Sequence, residues 1–262
     1  MKNEMNKAKD KAVNPWRVPF PKHEVTTVDV PVPDLPEPAQ MRRGMRSVVS
    51  NVLGFLMRLF FGMRSENAER MPEEGPLILI SEHGSLLDLP LLHFTSKTWI
   101  YWLAKIELFQ NRLGFRFLPW WGSIPVDRDR MHIRTARDVI DTLRKKRVLG
   151  VFPQGKRCRT YEEIRTTEPK SGVIKFALKA NAKIIPVAID GNYRIFSKNR
   201  VIYGQVHEIR LPEGQRSLTD AEERGLALEM MRAIYSLKGE PYPFEYPEGT
   251  EVSETGLLFP VS

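Results

Sequence analysis

From residue 76 onward, short β-rich runs alternate with segments of helical periodicity, and this alternation constrains the fold more than any other feature of the chain. PLILIS (76–81), TWIYWLA (98–104), VLGVFP (148–153) and KIIPVAI (183–189) read as strands, the last three buried or nearly so, and RVIYGQVHEIRL (200–211) reads as a further strand. Residues 85–95, 131–146 and 170–181 between them read as helices, and 219–238 form another beyond the sheet. The pattern predicts an α/β domain with a mainly parallel sheet flanked by helices, whose ligand site lies beyond the carboxyl ends of the strands.

Upstream, residues 42–63 place Met45, Val49, Val52, Leu56, Leu59 and Met63 on one helical face and Arg43, Ser47, Ser50, Gly54 and Arg58 on the other. Phe55 and Phe60 widen the apolar side, while Phe61 falls on the polar one. Such an amphipathic helix suits the headgroup region of a membrane, where apolar burial and attraction to anionic lipid add together. Packing against the core of its own domain is the alternative. No apolar run reaches the roughly 20 residues of a bilayer span, since VLGFLMRLFFGM is short and interrupted by Arg58.

The remaining layout follows from punctuation. The amino terminus is basic but lacks the apolar core of a secretory signal. Seven prolines from Pro15 to Pro38 make residues 1–40 a proline-rich arm ahead of an amphipathic interfacial helix over 41–66. A main domain over 67–240 follows. The Pro/Glu-rich segment 241–262 reads as a surface-lying or loose tail.

Forty Lys and Arg against 32 Asp and Glu give a formal charge of +8, which favours anionic partners. The chain carries neither a nucleic-acid-binding motif nor an aromatic-interleaved basic repeat, so no nucleic acid partner is expected and lipid or phosphorylated small molecules remain. Cys158 is the only cysteine, which excludes an intramolecular disulfide and a cysteine-built metal site. His23, His93, His132 and His207 show no ligand spacing, so no metal is expected. Tyr101, Trp102, Phe115, Phe117, Trp120 and Trp121 read as core.

The first strand runs into Glu82-His83-Gly84-Ser85-Leu86-Leu87-Asp88, where Ser85 and Asp88 fit the S-x-x-D capping box that opens a helix. His83 then sits in the turn before that helix, from which Asp88 can fold back towards the imidazole. In such a pair the carboxylate holds the tautomer and stabilises the imidazolium while the histidine removes a proton from an attacking hydroxyl. The competing reading leaves Asp88 as a helix cap alone. Downstream, Gly122 to Arg128 and Phe152 to Arg157 put basic residues beside glycine near strand ends, an arrangement suited to phosphate. Cys158, flanked by Lys156, Arg157 and Arg159, is a second candidate nucleophile, although no histidine lies near it in sequence.

In order along the chain, H-x-x-x-x-D at 83–88, G-x-x-x-x-x-R at 122–128, FPQGKR at 152–157 and the proline-containing strand Ile184-Ile185-Pro186-Val187 resemble the blocks of the 1-acylglycerol-3-phosphate acyltransferase (lysophospholipid acyltransferase) family. The resemblance covers about residues 67–210. It implies an acyltransferase domain, with His83 as general base and Asp88 as its orienting partner. Arg128 and Arg157 match the family's holders of the acceptor phosphate, Gly122 and Gly155 match its glycines, and Gln154 and Lys156 complete the same corner. It further implies a lysophospholipid acceptor, lysophosphatidate in the first place, with acyl-CoA or acyl carrier protein as donor substrate and no cofactor. The hydroxyl attacks the donor directly, so the Cys158 thiol takes no part. Membrane lipids are then partners, and the protein sits peripherally on the cytoplasmic face of a membrane.

This sequence departs from the family at two positions of that corner: Gln154 replaces the usual Glu and Lys156 the usual Thr. The corner loses a carboxylate and gains an ammonium, becoming more positive by two charges, which leaves the headgroup open to another lysophospholipid or a lipidated amino acid. Glu82 also stands where Asn is common. A non-catalytic lipid-binding protein of the same fold is the reading outside the enzymes, and the intact His83, Asp88, Arg128 and Arg157 weigh against it.

Overall fold

The structure, a computed structural model, describes residues 43–110, 112–127 and 132–261. The expected arm over 1–40 lies outside the described residues. The chain opens with α1 (Arg43–Phe61), then β1 (Met63–Glu66), β2 (Leu77–Ile80), α2 (Asp88–Thr95), β3 (Ile100–Lys105), α3 (Arg112–Trp121), β4 (Ile124–Val126), α4 (Ile133–Arg144) and β5 (Val148–Val151). It continues through α5 (Tyr161–Thr166), α6 (Gly172–Ala180), β6 (Lys183–Asp190), β7 (Asn199–Tyr203), β8 (His207–Ile209), α7 (Asp220–Ser236) and β9 (Leu258–Pro260).

The strands form one sheet in the order β1-β7-β6-β2-β5-β3-β4, with β8 beside β6 and β9 beside β8. From β6 to β4 every neighbour is parallel, as the alternating pattern predicts, and the antiparallel pairs are confined to β6 with β7, β6 with β8 and β8 with β9. Strand β2 is central, and all four of its residues are buried because both faces are covered. Ile78 and Ile80 point into a core shared with α4, α6 and α7, whereas Leu77 and Leu79 point to the opposite layer with α2. The period of two thus builds two apolar cores from one strand, each fully buried side chain contributing about 1.5–3 kcal/mol.

Elements α3, β4 and α5 have no counterpart in the sequence expectation, Phe117 is exposed rather than core, and three further segments differ from it. The single strand expected over 200–211 is two, β7 and β8, because the chain turns at Gly204 where a Cβ would lie 2.8 Å from the Pro186 ring. The Pro/Glu-rich segment is not loose throughout: Tyr242, Phe244 and Leu257 are buried and β9 pairs with β8. Their apolar burial outweighs the entropy that composition alone favours.

The third difference is the orientation of α1. Its small residue, Gly54, which the sequence assigns to the polar face, is the buried one, and a Cβ there would lie 3.4 Å from the Phe94 carbonyl oxygen. Leu53 and Met57 pack beside it on the core. Met45, Val48, Val52, Phe55 and Leu59 face outward instead, each about half exposed or more. The absence of a side chain at Gly54 lets the helix approach α2 closely, so this edge docks and the broad apolar stripe is left outside.

Candidate active site

Strand β2 delivers the chain to the site at its carboxyl end, where the α/β architecture leaves a crevice. Just beyond it, the buried Glu82 accepts hydrogen bonds from the Ile189 N–H at 3.1 Å and the Ser81 hydroxyl at 3.2 Å, and it meets the Lys238 ammonium at 3.1 Å. The ends of β2 and β6 and the segment after α7 are therefore tied together beside the site. Burial pushes the Glu82 carboxyl above its ordinary range, against the pull of Lys238 and the Ile189 N–H.

His83 is held by both of its backbone groups. Its N–H donates to Gln154 Oε1 at 3.1 Å, and its carbonyl accepts from the Cys158 N–H at 2.7 Å. The segment after β5 thus clasps the turn after β2, a contact natural for neighbouring parallel strands. The imidazole lies flat on Phe152, with centroids 4.0 Å apart and planes inclined by 12°, and Phe152 in turn stacks on Trp102 at 5.2 Å and 17°. Trp102 has room because Gly150 faces it: a Cβ there would come within 2.5 Å of the indole.

Asp88 is the first residue of α2 and is completely buried. Its Oδ2 lies 2.9 Å from His83 Nδ1 and accepts the Gly84 and Ser85 N–H groups, each at 2.8 Å. The backbone donors and the helix amino terminus both direct positive partial charge at this oxygen. With the shared proton on Nδ1, His83 Nε2 is the nitrogen able to accept another. Only half of the expected Ser85–Asp88 capping box forms: Asp88 Oδ2 accepts the Ser85 N–H, but Ser85 Oγ accepts from the Leu87 N–H, and the helix begins at Asp88 with no side-chain cap. Asp88 reaches backwards because three donors converge on it in the 83–85 turn.

The remaining candidates divide. Gln154 is buried, and its carbonyl oxygen is engaged by His83, so it braces the histidine from below rather than lining an open phosphate pocket. Gly155 adopts a left-handed φ of +68°, which a side-chain-bearing residue rarely takes, and turns the chain so that Lys156 is exposed and Arg157 half-buried close behind His83's clasp. Gly122 is buried at the carboxyl end of α3, φ +102°, and its N–H returns to the Leu118 and Pro119 carbonyls. Its visible role is to end that helix and admit β4. Arg128 lies outside the described residues. Cys158 is buried, and its Sγ lies 3.4 Å from Thr167 Oγ1.

Sequence reasoning missed Tyr193. Its backbone is left-handed, φ 58°, and its phenol sits beside Gly84, 4.0 Å from where a Cβ would stand. Burial first, and then the neighbouring Asp88 charge, push this phenol's pKa above its ordinary range. A tyrosine more than one hundred residues from the histidine carries no sequence signal of that contact. Among the described residues there is no group of three or more His, Cys, Asp or Glu that could hold a metal ion, and no helix long and apolar enough to cross a membrane.

Residues 62–190 match the family model described as Acyltransferase. Over 148 residues, 56% of this chain, the sequence is 28% identical to a 1-acyl-sn-glycerol-3-phosphate acyltransferase of Bacillus subtilis, spanning 72% of that protein. It is 29% identical over 150 residues to the protein of the same name from Borreliella burgdorferi, where the match covers 54% of this chain and 59% of the other. Among solved structures, the 1-acyl-sn-glycerophosphate (LPA) acyltransferase PlsC from Thermotoga maritima superposes with a TM-score of 0.54 over 76% of this chain and 83% of its own, at 22% identity. That likeness is one of fold.

Proposed function

We propose that this chain, which matches the Acyltransferase family model over residues 62–190 and is similar to 1-acyl-sn-glycerol-3-phosphate acyltransferases, is a glycerolipid O-acyltransferase that moves an acyl chain from a thioester onto the free hydroxyl of a lysophospholipid, lysophosphatidate in the first place. The observation that carries this reading is the 2.9 Å contact between His83 Nδ1 and a buried Asp88. An imidazole oriented in this way accepts the hydroxyl proton at Nε2 as the oxygen attacks the thioester carbonyl, and Asp88 stabilises the imidazolium that forms. Collapse of the tetrahedral adduct expels the thiolate of coenzyme A or acyl carrier protein, which takes the proton back from His83. Acyl group and proton balance between the two substrates, so the route calls for no cofactor and no acyl-enzyme.

Arg157 and Lys156, with Arg128, are the residues assigned to the acceptor phosphate, since guanidinium groups grip phosphate oxygens in a bidentate, charge-assisted manner. The lipid acceptor also demands a membrane. The outward apolar stripe of α1 supports a peripheral position, with the helix lying in the interface of the cytoplasmic face and the exposed Arg58 near anionic headgroups. Purified protein incubated with labelled acyl-CoA or acyl carrier protein and a lysophospholipid panel is expected to yield phosphatidate from lysophosphatidate. Donor binding without transfer to any lysophospholipid would leave only a lipid-binding role.

A further inference from the structure

The loop joining β6 to β7, residues 191–198, has no part in the chemistry above, yet it is built with unusual rigidity. Asn199, fully buried, accepts the Tyr193 N–H at 3.0 Å and donates to the Phe61 carbonyl at 2.6 Å. The Phe196 N–H donates to the Phe60 carbonyl at 2.5 Å. Gly62 sits so close beneath the loop that a Cβ would stand 2.0 Å from the Ser197 oxygen, and Gly191 is similarly pressed on Asn199. Two residues with large side chains, Tyr193 and Phe196, take left-handed φ angles of 58° and 60°. Such backbone states persist only where surroundings enforce them.

What this rigidity presents to the outside is apolar. Ile195 is 61% and Phe196 77% exposed, and the bonds to Asn199 and α1 fix the backbone that carries them. Phe196 touches Phe60, with ring centroids 6.2 Å apart, so the loop tip continues the outward stripe of α1 at its carboxyl end. Arg194 and Lys198 flank the pair on the loop, and Arg58 and Arg64, all four exposed, stand on the α1 side. The nearby acids Glu66 and Asp190 are both engaged by Arg200. An apolar tip ringed by exposed cationic side chains matches an acyl layer beneath anionic headgroups.

We propose that the 191–198 loop is a second membrane-docking element, in which Ile195 and Phe196 enter the acyl region of an anionic bilayer beside the end of α1 while Arg194 and Lys198 meet lipid phosphates. This rests on the reading of α1 as an interfacial helix. The same loop carries Tyr193 against Asp88, so its insertion fixes the height of the His83–Asp88 pair above the bilayer.

The test places an environment-sensitive fluorophore on Phe196→Cys or Phe55→Cys in a Cys158→Ser background of the full chain. Quenching is measured with vesicles of phosphatidylcholine and phosphatidylglycerol bearing nitroxides on their acyl chains. Both labels are expected to be quenched. Quenching at position 55 with position 196 remaining in water overturns the loop inference and leaves the α1 reading standing; quenching at neither overturns both. In parallel, the Ile195→Ser/Phe196→Ser variant is expected to bind these vesicles about tenfold or more weakly. Full vesicle binding by that folded variant would assign the tip elsewhere.

Discussion

Gln154 grips the backbone of His83: its Oε1 accepts the His83 N–H at 3.1 Å from a position that is itself buried. In Gln154→Leu that N–H is left buried without an acceptor, a cost of about 1–3 kcal/mol. The histidine then loses one of its two backbone anchors. A fall in Tm together with a fall in kcat is expected, whereas Gln154→Glu keeps an acceptor oxygen and should retain both. Equal kinetics for the Leu variant and the parent protein would show that the clasp does not matter.

Asp88 serves two purposes in one atom, since Oδ2 meets the imidazole and also gathers the Gly84 and Ser85 N–H groups. Substitutions can separate them. Asp88→Asn offers an amide oxygen to the backbone donors but no countercharge, so the fold should survive while transfer falls by about 10²–10⁴-fold. His83→Ala should abolish transfer at nearly unchanged Tm. Asp88→Ala loses both roles and should also melt earlier. An Asn variant with parental turnover would reduce Asp88 to a turn former.

Cys158 comes near the site through its backbone, but its thiol is buried against Thr167 Oγ1. Direct attack by the acceptor gives that thiol nothing to do. Cys158→Ser is therefore expected to keep turnover within a few-fold. Isolation of a labelled acyl chain on Cys158 after rapid quenching would reverse the assignment.

The parallel sheet and the His83–Asp88 pair were legible because they rest on local periodicity and on a spacing of five that only a turn can close. Other features depend on contacts between distant segments. Tyr193, the Phe152–Trp102 stack and the clasp by Gln154 and Cys158 arise from strand order, which places β5 and β6 on either side of β2. Which edge of α1 docks on the domain was left open for a related reason. A hydrophobic pattern reports which residues are apolar, whereas Gly54 was chosen for docking by how closely two backbones can approach. That the surface-lying tail is anchored was not legible because the three buried residues Tyr242, Phe244 and Leu257 are diluted among prolines and glutamates.

His93 provides a pH dependence separate from catalysis. Burial first, and the nearby Arg46 second, push its pKa down from 6.5 to about 3, and the Trp102 N–H donates to its Nδ1 at 3.4 Å. The folded state therefore keeps the ring neutral while the unfolded chain protonates below about pH 6.5. Between these values the unfolded state holds more protons, so stability present above pH 6.5 is lost on acidification at up to roughly 1.4 kcal/mol per pH unit. His93→Phe should flatten the urea midpoint between about pH 6.5 and 4. An unaltered pH profile in that variant would place the acid sensitivity in other groups.

Headgroup choice is the final expectation, and it turns on the two cations that follow the Gly155 turn. Arg157 is half-buried and Lys156 exposed, so the first has fewer competing waters and a more constrained guanidinium. Arg157→Ala should raise the KM for a phosphomonoester acceptor by about tenfold or more while leaving the KM for the acyl thioester within a few-fold, because a charge-assisted bond to phosphate is worth roughly 1.5–3 kcal/mol. Arg157→Lys should recover part of that loss, since a point charge replaces the attraction but not the bidentate geometry. Lys156, with its ammonium in water, should act through charge alone. Lys156→Thr is accordingly expected to change the acceptor KM less than Arg157→Ala does, to shift preference away from dianionic headgroups, and to lose its effect as salt rises. Steady-state kinetics across a panel of lysophospholipids at low and high ionic strength would check this, and an Arg157→Ala enzyme whose acceptor and donor constants move together would take the phosphate away from this corner.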